Sequence, residues 1–444
     1  MPEPTVPTRD KDLHRSLFGA ACRSIQPIIL NVLSVPAMAF IIRKLGASNY
    51  GYWTTATSLV ATTAVLTSLG LRGTFIRGVA QDPSSAPAAF AEQLGTRIIL
   101  SLMAVAITMI ACLSLGYPMV ILQCTAIAAS GVVLSTIWTT GNDLLEAFQR
   151  LPATAGISMI SGLLVTAASV AAIAVGAGPV GLSFAYLLGP LSFVLILWLL
   201  LHREHFPIRA TFHPGRAVRL LWTSRHFSAQ QLLAAASANI ALLMLPKLVG
   251  AASFGLFSAG VLLVTRVAIF PDAIGTAFYP LIAKSIQKDR RLARRHALLA
   301  LGLALVTCLC VAIPIMLLSG TIARILFPQS AIGCQRVIAI TIWVLPLIGI
   351  ETVIGYALNA VGKEAIQARN AFLAAIVSLT AGAVIILQSG IWGACAYMLI
   401  RPAIGIAFNL RTFFATFTSP AKQVIPHQRT AALNQSFISG PLST

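Results

Sequence analysis

Long apolar runs separated by short polar breaks recur along this chain from residue 17 to residue 415. In hydrocarbon every backbone N–H and C=O must find its partner within protein, so runs of this kind must be helices. Each crossing needs about 20 apolar residues. Twelve runs qualify: 17–42, 52–76, 95–116, 118–146, 154–176 and 179–201, then 227–248, 255–282, 296–318, 334–359, 366–388 and 390–415. Only 10% of the residues are charged, against about 25% in soluble domains. The expected fold class is therefore an all-α polytopic membrane protein with about 12 transmembrane helices.

The runs form two groups of six, and a repeated turn relates them. Leu45-Gly46-Ala47-Ser48-Asn49-Tyr50-Gly51-Tyr52-Trp53 joins the first two runs, and Leu248-Val249-Gly250-Ala251-Ala252-Ser253-Phe254-Gly255-Leu256-Phe257 joins the seventh and eighth. Both read Gly-Ala, two small or polar residues, an aromatic, glycine, one residue, an aromatic. A weaker echo closes runs four and ten, Leu145–Arg150 and Leu358–Lys363. Self-similarity at equivalent places implies a duplicated architecture. The expected division is a six-helix lobe over 1–201, a linker over 202–226, a second six-helix lobe over 227–415 and a polar tail over 416–444, expected to be disordered. Within the linker, Arg216–Trp222 reads as a short basic amphipathic helix on the membrane surface. The turn glycines fit tight outer turns and their aromatics fit interfacial anchors.

A net charge of +19 could signal nucleic acid, but its distribution points elsewhere. If the N-terminus is cytoplasmic, 24 of the 31 Lys and Arg fall on the inner side, five (Arg43, Lys44, Lys247, Arg324, Arg336) on the outer side, and Arg266 and Arg401 within the membrane. That is the positive-inside bias, with both termini cytoplasmic and no nucleic-acid partner expected. Residues 1–16 are polar and Arg23 sits early in the first run, so no cleavable leader is expected.

Ionisable groups within a membrane span are costly and are functional candidates by default. Here they are Arg23, Arg266, Asp272, Glu351 and Arg401. On run one, Ser16, Arg23 and Ser34 fall within about 20° of one another at 100° per residue, with Gln26 nearby. Such a stripe faces protein or water. If the halves face each other, Arg23 and Arg266 line one cavity, whose guanidinium groups suit an anionic headgroup such as a pyrophosphate. The candidate binding set is Arg23, Gln26, Arg266 and Arg401; the alternative for Arg23 is snorkelling to the inner interface. Asp272 and Glu351 either carry a coupling proton or sodium or form buried pairs with Arg266 or Arg401. Arg72, Arg77, Asp143 and Glu146 are expected at the inner interface.

Catalytic and metal chemistry find little support. All seven histidines lie in loops or at span ends, and no H-E-x-x-H or phosphate-binding glycine loop occurs. The seven cysteines show no C-x-x-C and lie mostly in apolar runs, where a thiol acts as a small hydrophobe. No cofactor and no metal are expected.

The chain resembles the Wzx-like polysaccharide biosynthesis proteins of the multidrug/oligosaccharidyl-lipid/polysaccharide exporter superfamily. The resemblance rests on Arg43-Lys44-Leu45-Gly46 followed by Tyr50-Gly51, on Leu69-Gly70-Leu71 with Arg77-Gly78-Val79-Ala80, and on Tyr279-Pro280-Leu281 closing span eight. It implies two six-helix lobes facing each other across a central cavity, and alternating-access transport of a lipid-linked oligosaccharide on an undecaprenyl-pyrophosphate carrier across the inner membrane. Arginines on spans one and eight line the cavity of the related lipid II flippase, and Arg23 and Arg266 match them by span. A polysaccharide polymerase and export proteins are the further partners it implies. A multidrug exporter would want carboxylates for cationic drugs, whereas bases outnumber acids in these spans. A membrane glycan polymerase or acyltransferase, and a non-transporting scaffold, are the alternatives from other classes.

Overall fold

The computed structural model describes the backbone of residues 9–418 apart from residue 70, and side chains from residue 26 to 417 except at 27, 28, 70, 74, 220, 223–227 and 287. Beyond residue 418 the expected tail lies outside the described residues. Helices account for nearly all of the described chain. They are α1 (Arg9–Ala64), α2 (Leu71–Gln81), α3 (Ala86–Ser114), α4 (Met119–Ala147), α5 (Leu151–Ala174), α6 (Gly178–Arg203) and α7 (Pro214–Val267). Then follow α8 (Ile269–Lys288), α9 (Arg290–Leu317), α10 (Ser319–Leu326), α11 (Ala331–Thr341), α12 (Val344–Ala360) and α13 (Glu364–Thr418). Among the described residues nine helical stretches are long and apolar enough to span a membrane. Three of them are hairpins that turn at one glycine each, Gly46, Gly250 and Gly390. Dividing these gives the twelve expected crossings, in two lobes.

The hairpins show in their contacts. Met38 and Trp53 would lie ~22 Å apart along a straight helix, yet both touch Tyr186, Met38 through its sulfur at 3.6 Å and Trp53 ring to ring at 4.9 Å. In α13 a Cβ on Gly393 would overlap the Ile385 carbonyl, so its two arms run side by side. Gly46 (φ 72°, ψ 170°) and Gly250 (φ 78°, ψ 165°) adopt nearly the same left-handed backbone, a conformation only glycine takes without strain. The repeated turn is thus a repeated backbone conformation.

Prolines set two further breaks. α7 ends at Val267 and α8 resumes at Ile269, because Pro271 has no N–H to give the Val267 carbonyl. Pro346 does the same between α11 and α12. Arg216–Trp222 is no separate surface helix. It forms early turns of α7, since no proline or glycine interrupts 216–245.

The turn aromatics differ from the interfacial anchors that the sequence suggested. Tyr50, Trp53, Phe254 and Phe257 are all buried. They are buried because the two copies of the turn cross at the seam between the lobes. A Cβ on Gly51 would overlap the Ala251 carbonyl, and one on Gly255 would overlap the Ala47 carbonyl. The contact is reciprocal, as a pseudo-twofold between duplicated halves requires. Around it Met38, Ile41, Ile42 and Leu45 of α1 pack with Ala259 of α7 and Ala323 and Leu326 of α10 in one buried apolar cluster.

Polar contacts at the opposite ends of the helices link segments that the charge bias assigns to a single face. Arg150 pairs with Glu204, Arg216 with Glu92 at 3.5 Å, and the Thr211 N–H donates to the Ala91 carbonyl at 2.9 Å. Lys247 lies 4.7 Å above the Tyr117 ring, joining two segments assigned to the other face.

Because the crossing is backbone against backbone, no rotamer change can accommodate a side chain there. Gly51→Leu is expected to cost about 1–3 kcal/mol and to lower the melting temperature in detergent. Gly73→Leu on α2, with open space at its Cβ, should stay within about 0.5 kcal/mol of the parent. Equal melting of the two variants would rule out the crossing.

Candidate functional site

Below the crossing, α1 and the second arm of α7 descend together through the membrane. Asn31 lies 15 residues before Gly46 and Arg266 lies 16 after Gly250, so both sit ~23 Å from the glycine turns at 1.5 Å per residue. They meet: Arg266 Nη1 donates to Asn31 Oδ1 at 2.8 Å, and Asn31 Nδ2 donates to the Arg266 carbonyl at 3.5 Å. The guanidinium is half-buried, and among the described residues no carboxylate lies within ion-pair distance of it. Its neighbour is neutral and its charge remains available.

Arg266 borders two cavities. One, of about 370 Å³, runs along the turn-proximal half of the seam between Val35, Met38 and Ile42 of α1, Leu262 and Leu263 of α7, and Ile322 and Ile325 of α10. Arg266 is its one charged lining residue, at the lower end of an apolar groove. The second, of about 220 Å³, lies between α1, α5 and α6 in the first lobe, and its wall carries Ser34, Ser161, Thr166, Ser169 and Tyr186 besides Arg266.

The other sequence candidates fall elsewhere. Arg401 borders a separate cavity of about 240 Å³ in the second lobe, with Asn239 and Tyr397. Its Nη2 lies 3.8 Å from Glu351 Oε2, and the carboxylate packs against Gly405, where a Cβ would overlap it. Asp272 is exposed and does not reach Arg266. The Pro271 break puts it at the start of α8, where it accepts from the Tyr356 hydroxyl at 2.8 Å. That phenol lies against Gly275 and also accepts from Thr276 at 3.2 Å. Gln26 is half-buried on α1, outside the linings of these three cavities. The side chain of Arg23 lies outside the described residues; its backbone is helical, ~34 Å along α1 from Gly46. Arg266 and Arg401 therefore do not share a single cavity.

Sequence reasoning missed Asn31, although it stands on run one only three residues from Ser34. It also placed Asp143 at the inner interface and counted Arg97 only among the inner-side bases. Both are buried, 2% and 3% exposed, with Arg97 Nη2 donating to Asp143 Oδ2 at 2.8 Å. Arg72 bridges outward to Asp143 at 3.2 Å and Glu146 at 2.5 Å. Runs three and four begin and end at the same face, so these four charges lie at one level; that adjacency was the available signal. Arg97→Leu alone leaves the buried Asp143 carboxylate with only the half-exposed Arg72 as an ionic partner and should cost up to about 3–5 kcal/mol. The double variant Arg97→Leu/Asp143→Leu should recover much of the loss, as read by melting and membrane yield. A double variant less stable than the single would contradict a simple buried pair.

Several solved structures share this architecture. The lipid II flippase MurJ in an inward closed conformation superposes with a TM-score of 0.68 at 12% identity, covering 95% of this chain and 93% of that one. An inward-facing multidrug resistance MATE family transporter of the MOP superfamily gives 0.64 at 16%, covering 90% and 100%. A MOP superfamily transporter from Pyrococcus furiosus, described by a binding pocket of reverse polarity, gives 0.60 at 17%, covering 91% and 96%. No curated protein matches in sequence. The family model described as polysaccharide biosynthesis protein matches residues 40–335. With its polytopic helical fold and two lobes, the chain belongs to that family of membrane proteins.

Proposed function

We propose that this protein is a flippase that carries a lipid-linked oligosaccharide of the undecaprenyl-pyrophosphate type across the cytoplasmic (inner) membrane by alternating access, for surface or exopolysaccharide biosynthesis. The observation that carries the reading is Arg266, a guanidinium without a carboxylate partner among the described residues, at the foot of an apolar groove between the lobes. An amphiphile with a polyprenyl tail and a diphosphate fits that pairing: the tail lies along apolar side chains and the diphosphate takes the planar donor fork. No carboxylate lines the three cavities described, which disfavours a cationic cargo and the multidrug-exporter alternative.

The helices at residues 1–201 and 227–415 then act as the two moving lobes, with both termini cytoplasmic on the strength of the basic-residue bias. Arg23 and Gln26, lower on α1, are assigned to the path the headgroup follows from the inner side. Arg401 and Glu351, with Asp272, are assigned to coupling, since a carboxylate held by one long ion pair or one phenol can exchange partners for a proton or sodium. The reading is that of a transporter acting before a polymerase and export proteins, with no catalytic step of its own.

In proteoliposomes, Arg266→Ala should slow flipping of a labelled lipid-linked oligosaccharide about 10–100-fold, the loss of one charge-assisted contact worth roughly 1.5–3 kcal/mol. Arg266→Lys should retain part of the rate, keeping charge without the bidentate fork. Unchanged flipping in Arg266→Ala would remove this residue from the cargo path. Elongation of the glycan by the parent protein, without flipping, would replace the transporter reading with the polymerase alternative.

A further inference from the structure

The second cavity beside Arg266 contains an anomaly. A Ser or Thr hydroxyl inside an apolar helix normally donates to the carbonyl three or four residues back. Thr166 does so to Gly162 at 2.8 Å, and Ser34 to Asn31 at 3.2 Å. Ser161 and Ser169, two turns apart on α5, do not. Both are buried, at 0% and 1% exposure, and neither hydroxyl has a hydrogen-bond partner among the described residues. Tyr186, across the cavity on α6, offers its phenol only the weak acceptor Met38 Sδ at 3.6 Å. Buried polar groups are almost always satisfied, and one that is not calls for an explanation.

Helix packing alone does not supply it. Small residues on α5 do let α1 approach, and at Gly162 a Cβ would meet the Leu30 side chain at 2.9 Å. Alanine would serve that seam equally well without stranding two hydroxyls. Instead the helices leave about 220 Å³ between them. That is below the roughly 300–1,000 Å³ of sites that hold a whole drug-sized ligand, and so suits one part of a larger molecule. The wall combines hydroxyls with the Phe193 ring, a surface matched to a sugar ring that has hydroxyl edges and an apolar face. Arg266 stands at the boundary between this cavity and the apolar groove.

We infer that the α1–α5–α6 cavity is a specificity pocket for the monosaccharide attached directly to the diphosphate, with the Ser161 and Ser169 hydroxyls as its recognising groups. The inference rests on the proposed flippase reading. Position fixes which sugar is read: with the diphosphate on Arg266, only the first ring can enter a cavity that begins at the same guanidinium. The two hydroxyls have almost no free surface in this conformation, so a slight separation of α1 from α5 accompanies binding. Residues further along the glycan lie outside the pocket and are not selected by it.

The test measures binding of four probes to detergent-purified full-length protein by native mass spectrometry. They are undecaprenyl diphosphate alone, and the same lipid carrying one glucose, one galactose or one N-acetylglucosamine. The parent should bind at least one glycosylated probe about tenfold more tightly than the bare lipid. Ser161→Ala/Ser169→Ala should bind the bare lipid as the parent does and lose that preference, with unchanged melting. Arg266→Ala should lose all four probes. No preference in the parent, or a preference retained in the double serine variant, overturns the sugar pocket while leaving Arg266 as the diphosphate site. Retention of all four probes by Arg266→Ala overturns the flippase reading beneath it.

Discussion

The reciprocal crossing of two glycine turns governs this structure. Gly51 admits the Ala251 carbonyl and Gly255 admits the Ala47 carbonyl, so α1 and α7 touch backbone to backbone where the lobes meet. In lipid there is little hydrophobic force between helices, and close approach through small residues is what holds them. The crossing aligns the helices below it. It sets Asn31 and Arg266 at equal depth on opposite lobes and packs the Met38–Leu326 cluster at the seam, whose Met38, Ile42 and Leu326 also wall the apolar groove. The same small-residue contact that closes the seam can part without breaking an ion pair, which suits a reversible gate.

The intramembrane charges divide by partner. Arg97 and Asp143 are buried together and held from outside by Arg72; they neutralise each other and brace α3 against α4. Arg266 has an amide for a neighbour and a cavity on either side. A paired charge is structural by default, whereas a charge facing open volume with a neutral neighbour is the candidate for a ligand contact. Arg401 stands between these cases, with Glu351 at 3.8 Å.

Much of this was legible in the residues. Twelve crossings follow from apolar runs of membrane-spanning length, and the duplication follows from Gly46-Ala47 and Gly250-Ala251 with their trailing aromatics. The tight turns were legible from their glycines, but the place of their aromatics was misjudged. Hydropathy cannot distinguish a loop from a single left-handed glycine, and an aromatic beside a turn has the same composition whether it faces headgroups or a second copy of the turn. Pairings across the lobes were invisible for a related reason. Asn31 and Arg266 are 235 residues apart, and helical periodicity reports which residues share a face, never which face lies opposite. The buried hydroxyls of Ser161 and Ser169 left no sequence mark, because serine in a membrane helix ordinarily satisfies itself.

The account depends on the crossing opening during transport. Ser48 and Ala252 both line the mouth of the seam beside the two turns, so the most direct measurement links them. In a background with the native cysteines replaced, Ser48→Cys/Ala252→Cys protein is joined by a short cleavable bifunctional thiol reagent and assayed for flipping of a lipid-linked oligosaccharide in proteoliposomes. Linked protein should not flip, and cleaving the linker should restore the rate. Full flipping with the seam still linked would contradict transport through this opening.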